Sequence, residues 1–129
     1  MKIFIPGDAG AVAVGADKVA SELAAELARR GTQAEVVRTG SRGMFWLEPL
    51  IEIESEGRRI GFGPVAPGDV PAIAGAILDG AGHPLALGRV EELPFLKAQT
   101  RLTFARCGIT DPQSLADYRA NGGLKGLER

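Results

Sequence analysis

A chain of 129 residues, 45% hydrophobic and 24% charged, fits one domain of ordinary size with room for a small appendage. Its net charge of -1 excludes the clustered basic footprint of a nucleic-acid binder, and no apolar run reaches the roughly 18 residues of a membrane span. One cysteine, Cys107, and one histidine, His83, cannot supply a disulfide, a CxxC redox pair or an all-cysteine 2Fe–2S cluster.

Lys2 to Ile5 reads as a short apolar strand that turns at Pro6-Gly7. A signal peptide needs a longer apolar stretch and a small-residue cleavage site, so the expected location is the cytoplasm. Gly7 to Gly15 is a Gly/Ala-rich loop. From Ala16 to Arg30, Val19, Leu23 and Leu27 recur every four residues, which predicts an amphipathic helix stopped by Gly31. Asp17 in its first turn and Arg29 and Arg30 in its last match the helix dipole, and Glu26 is spaced to pair with Arg30 along the outer face. Ala34 to Arg38 is a second strand. Leu50 to Glu54 alternates, with Ile51 and Ile53 on one side and Glu52 and Glu54 on the other. Ser55-Glu56-Gly57 is a turn, and Arg59 to Phe62 returns as the partner of a half-buried antiparallel hairpin. Asp69 is placed to cap a second helix through Val70, Ile73, Ala74, Ile77 and Leu78, ended by Gly80.

This order, β-α-β-β-β-α, predicts an α/β fold of thioredoxin-like topology with a right-handed first crossover. Residues 81–96 have no period and contain Pro84 and Pro94, which reads as a linker or an extended arm wrapping the domain. Arg101 to Arg106 is strand-like, and Ser114 opens a short helix as a capping box with Asp117, stopped by Asn121-Gly122-Gly123. The last stretch carries little apolar surface beyond Leu115, Tyr118, Leu124 and Leu127, so it is expected to pack on something outside this chain.

Each candidate site has a functional and a plain reading. The Gly7–Gly15 loop lies between strand and helix, where backbone N–H groups can hold an anion. It is neither GxGxxG nor GxxxxGK[ST], and a tight turn of small residues is the favoured reading. Arg38, Arg42, Arg58 and Arg59 form either a basic rim for an acidic partner or an anion or, as favoured, solvated charges balanced by Glu48, Glu52, Glu54 and Glu56. Met44-Phe45-Trp46-Leu47, which holds the sole Trp, is either core or an exposed contact patch. Cys107 and His83 read as ordinary loop residues.

Two stretches carry a family likeness. Ser41-Arg42-Gly43-Met44-Phe45, followed by Glu48-Pro49-Leu50-Ile51-Glu52-Ile53, resembles the second cysteine pair of the thioredoxin-like 2Fe–2S ferredoxins found in the small NADH-side subunit of respiratory complex I. Aligned on that pattern, the four ligand positions are Pro6, Ala11, Ser41 and Phe45, none a thiolate. The resemblance implies a ferredoxin-type domain over residues 1–80 that has lost its cluster, with Phe45 and Trp46 filling the vacated space. Gln99 to Tyr118, running into Gly122-Gly123, is similar to the lead-in of the NADH-binding flavoprotein subunit of complex I, which precedes a GRGGAGFP flavin motif absent here. On this reading 81–98 is a linker and 99–129 a truncated lead-in.

The tandem order resembles the beta subunit of soluble molybdenum-containing, NAD-dependent formate dehydrogenases, with the flavoprotein subunit of NAD-reducing hydrogenases as the competitor. The resemblance implies an oxidoreductase complex whose electron transfer uses FMN, NAD and iron–sulfur clusters. This chain would supply no catalytic, cofactor-binding or metal-binding residue. It would act as a scaffold that docks other subunits, above all a cluster-bearing ferredoxin-like one. A free-standing anion- or nucleotide-binding module is the reading from a different class; a thiol oxidoreductase is excluded by the lone cysteine.

Overall fold

The computed structural model describes residues 1–127. The elements run β1 (Lys2–Pro6), α1 (Ala9–Ala13), α2 (Ala16–Arg29), β2 (Glu35–Thr39), β3 (Ile51–Ser55), β4 (Arg58–Phe62), α3 (Val70–Asp79), β5 (Ala86–Arg89), α4 (Pro94–Lys97) and α5 (Leu115–Ala120), with 3-10 turns at Phe45–Leu47, Pro67–Asp69 and Val90–Glu92. The strands form one mixed sheet in the order β2-β1-β3-β4-β5. β1 and β2 are parallel, and the other neighbours are antiparallel. The first four strands with α2 and α3 give the expected α/β, thioredoxin-like β-α-β-β-β-α order.

The alternation read in the strands decides which residues enter the first core. Ile3 and Ile5 of β1, Ile51 of β3 and Phe62 of β4 pack with Val19, Leu23 and Leu27 of α2 and Ile73, Ala74 and Ile77 of α3. Each fully buried Leu or Ile there contributes roughly 1.5–3 kcal/mol by leaving water. Glu26 departs from the outer face assigned to it: its carboxylate is buried and binds both Arg29 and Arg30, while Arg30 Nη2 donates to the Pro71 carbonyl at 2.9 Å. This clasp joins the end of α2 to the start of α3.

Several expectations change on folding. The Gly7–Gly15 loop contains α1. Asp69 does not cap α3; its Oδ2 accepts the Ala66 N–H at 2.9 Å, closing the 3-10 turn ahead of the helix. Residues 81–96, which lack a period, hold β5 and α4. A four-residue strand and a four-residue helix are too short to print a period. Arg101 to Arg106 forms turns, not a strand: its backbone bonds are local, the Ala105 N–H donating to the Leu102 carbonyl at 3.3 Å and the Cys107 N–H to the Phe104 carbonyl at 3.1 Å. Ser114 caps α5 as expected, its Oγ accepting the Asp117 N–H at 3.1 Å. The reciprocal half of the box is diverted: Asp117 Oδ2 accepts the Asp111 N–H at 2.7 Å. The lead-in assigned to 99–129 ends at two residues outside the described ones.

The Val90–Glu92 turn, α4 and the chain after them cover the second sheet face. Met44, Leu50, Val90 and Leu96 form a smaller apolar cluster there. Gly61 is required beneath it, because a Cβ at that position would stand 2.7 Å from Val90 Cγ2.

Candidate functional site

The second face also carries three of the charged side chains singled out in the sequence, Arg42, Glu52 and Arg59. Glu52, between Ile51 and Ile53, points away from the helices and is only 2% exposed. Arg42, 5% exposed, donates from Nε and Nη2 to the two Glu52 oxygens, each at 2.7 Å. This is the two-pronged geometry that a guanidinium offers a carboxylate. Arg59 Nη1 lies 3.5 Å from Glu52 Oε2, and its guanidinium stacks 3.1 Å from the centroid of the Phe4 ring. Glu91 closes the group at 3.3 Å from Arg42 Nη2.

These residues are therefore not a solvated rim. Burial pulls the Arg42 guanidinium down, but the bonds and charge of Glu52, with Glu91 behind, more than reverse this and hold it above its ordinary value. At Arg59 burial outweighs the attraction of Glu52, and its affinity for a proton is lowered. Both stay charged at neutral pH. Arg58, Glu54 and Glu56 do remain exposed, as expected of surface charges. The group also anchors the chain that follows: Arg59 Nη2 donates to the Ile109 carbonyl at 3.4 Å, and Gly108 rests on the Arg42 side chain so closely that a Cβ would collide with it.

A second constellation lies at the loops after β1 and β2. Gly10 of α1 faces Phe45, a Cβ there standing 3.7 Å from the ring. Ser41 Oγ–H donates to Glu48 Oε1, and Ser41 Oγ accepts the Gly43 N–H at 3.0 Å. Glu48 is 7% exposed with Oε2 buried and unpartnered. Burial raises its carboxyl above the ordinary carboxylate range; the Ser41 bond opposes this and the nearby charge of Asp8 adds to it. A loop end bearing Asp8 and Glu48 repels anions, so the phosphate-loop reading of Gly7–Gly15 gains nothing from the geometry.

The four positions that the resemblance aligns with cluster ligands divide between these two loops. Pro6 and Ala11 are buried, Ser41 is half-buried with its hydroxyl engaged twice, and Phe45 is an exposed phenyl. A prolyl ring, a methyl group, a bonded hydroxyl and a phenyl ring do not fit a 2Fe–2S cluster, which needs thiolate or imidazole donors.

The Met44–Leu47 run splits along its own 3-10 turn. Met44 is buried, whereas Phe45 and Trp46 are 63% and 59% exposed. They do not fill a vacated interior; Trp46 instead meets Phe95 of α4 edge to face at 5.1 Å on the surface. Leu102, Phe104, Leu115 and Leu127 are also exposed. His83 Nδ1 accepts the Leu85 N–H at 3.1 Å, and Cys107 is a free, half-buried thiol in a turn. Among the described residues no cluster of histidine, cysteine and carboxylate groups stands at metal-binding spacing, and no helix is long and apolar enough to cross a membrane.

The buried Arg42–Glu52–Arg59 group escapes sequence reasoning because one alternating strand looks the same whether its polar face meets water or guanidinium groups. The equal number of arginines and glutamates around the hairpin, four of each, is the one signal that could have pointed to it. No family model matches the chain, and no curated protein matches its sequence.

Proposed function

We propose that this chain is the non-catalytic N-terminal scaffold and docking part of the NADH-side flavoprotein subunit of an NAD-dependent formate dehydrogenase. The observation that carries the reading is the junction of two ferredoxin-type loops at Gly10 and Phe45. Its aligned ligand positions offer no iron donor set, yet an aromatic group of Phe45, Trp46 and Phe95 stands exposed beside it. Exposed aromatics clustered in one place are the usual anchors of protein interfaces. FMN, NAD and the iron–sulfur clusters would belong to the rest of the complex, and a cytoplasmic location accompanies the reading.

Two measurements test it. Expressed with iron and sulfide supplied, the chain should be colourless, and a 2Fe–2S electron paramagnetic resonance signal on reduction would defeat the loss of the cluster. Co-expressed with the cluster-bearing subunits of such a dehydrogenase, it should co-elute with them on gel filtration. Trp46→Asp with Phe95→Asp should abolish co-elution and leave the circular dichroism spectrum unchanged. Failure of the unaltered chain to co-elute would defeat the docking role.

A further inference from the structure

The sheet has two open edges, and they are built differently. β5 is four residues long, its pairing with β4 slips at Gly61/Phe62, and Gly88 within it has φ +73°. Such an edge is blunted against further pairing. β2, by contrast, pairs with β1 in unbroken parallel register over five residues. Glu35 N–H donates to the Met1 carbonyl at 2.9 Å, and the Thr39 carbonyl accepts the Gly7 N–H at 2.8 Å. In a parallel ladder alternate residues turn both backbone groups to the same neighbour. Glu35, Val37 and Thr39 therefore face β1, and Val36 and Arg38 direct their N–H and C=O groups to the outside.

This free edge does not lie on an open surface. A cleft of about 420 Å³ flanks Val36–Gly40, walled by Asp17 of α2 on one side and Asp111, Pro112 and Gln113 on the other. A second, of about 430 Å³, flanks Glu35–Val37 between the sheet and α5 with its cap Ser114. The walls are acidic. Asp8, Asp17 and Asp111 line the first and Glu35 and Asp117 the second, against Arg38 and Lys2. Arg38 is taken by Asp17 at 2.7 Å and Lys2 lies 3.8 Å from Glu35. Among the described residues Asp8, Asp111 and Asp117 have no cationic partner.

We infer that the outer edge of β2 is a docking site for an extended, basic polypeptide segment, which adds to the sheet as a sixth strand. Its backbone pairs with Val36 and Arg38, and its lysine or arginine side chains meet the acidic walls. Backbone bonds of this kind give affinity and flanking side-chain sites give selectivity. The inference rests on the edge and its charge, not on the dehydrogenase reading.

The test uses the full chain and a fluorescein-labelled hexapeptide alternating lysine and valine. Anisotropy should rise saturably, with binding at least about tenfold weaker for the glutamate–valine counterpart and falling with added salt. Hydrogen exchange followed by NMR should show the Val36 and Arg38 amides slowed about tenfold or more on saturation, and Glu35 and Val37 unchanged. A peptide N-methylated at alternate residues along its pairing edge should fail to bind, a control that alters nothing in the protein. Equal binding of the acidic peptide, or no added protection at Val36 and Arg38, would overturn the proposal. So would protection that appears without peptide and tracks a doubling of mass in analytical ultracentrifugation, since the edge would then pair with a second copy.

Discussion

On β3, Ile51 and Ile53 enter an apolar layer under α2 and α3, while Glu52 between them enters a layer of guanidinium groups and a phenyl ring. The same strands thus build one core by leaving water and another by charge pairing. The apolar side tolerates loss in proportion to the volume removed, because its neighbours can partly close the gap. The ionic side has no such reserve: removing one partner leaves a buried charge unanswered, whereas replacing the whole group with apolar side chains need cost little.

The largest expected effect breaks the ionic side alone. Glu52→Gln should lower stability by about 3–5 kcal/mol in urea unfolding, because two buried guanidiniums lose their common carboxylate. The triple replacement Glu52→Leu, Arg42→Met, Arg59→Leu should recover much of that loss, and a triple variant weaker than the single one would sink the account of this face. On the apolar side Leu23→Ala should cost about 3 kcal/mol, with no cluster of charges to exaggerate it. Gly108→Ala probes the junction between the ionic group and the C-terminal segment. A methyl group there drives into the Arg42 side chain at a backbone with φ +82°, so a loss of about 1–3 kcal/mol is expected. Hydrogen exchange should rise across 106–123 before it rises in β1. Ser114→Ala removes one cap of α5, and a loss of about 1 kcal/mol should be confined to the amides of that helix.

The smallest expected effect is a gain. Burial, with Asp8 adding to it, holds the Glu48 carboxyl above its ordinary value of 4.5 in the folded chain. The folded state then binds that proton more tightly than the unfolded one. Its contribution is favourable below the unfolded value and is lost as pH rises through the folded value. Glu48→Gln keeps an acceptor for Ser41 and removes the ionisation. It should raise the urea midpoint at about pH 7 and leave it nearly unchanged at about pH 4. Equal shifts at both values would show that ionisation is not the cause.

Much of the fold was legible because it depends on short-range pattern. The period of Val19, Leu23 and Leu27 gave α2, the alternation around Ser55-Glu56-Gly57 gave the β3–β4 hairpin, and Ser114 marked the start of α5. β5 was not legible, since its four residues take their conformation from pairing with β4. At the candidate site, the position of Trp46 in a short apolar run left core and surface equally open. The 3-10 turn decided it by burying Met44 and turning Phe45 and Trp46 outward.

By itself the sequence determined the order of β1 to β4 with α2 and α3 and the apolar layer under those two helices, because residues within a few positions of one another carry that information. It also determined how few thiolate and imidazole donors the chain can offer. Tertiary structure alone decided that Glu52 and Arg42 are buried partners, that Asp117 serves Asp111, and that the edge of β2 lies between acidic walls. The first and last depend on separate elements being brought together, and alternation along one strand does not record what will cover it; Asp117 and Asp111 are only six residues apart, but which donor the carboxylate takes is set by the turn between them.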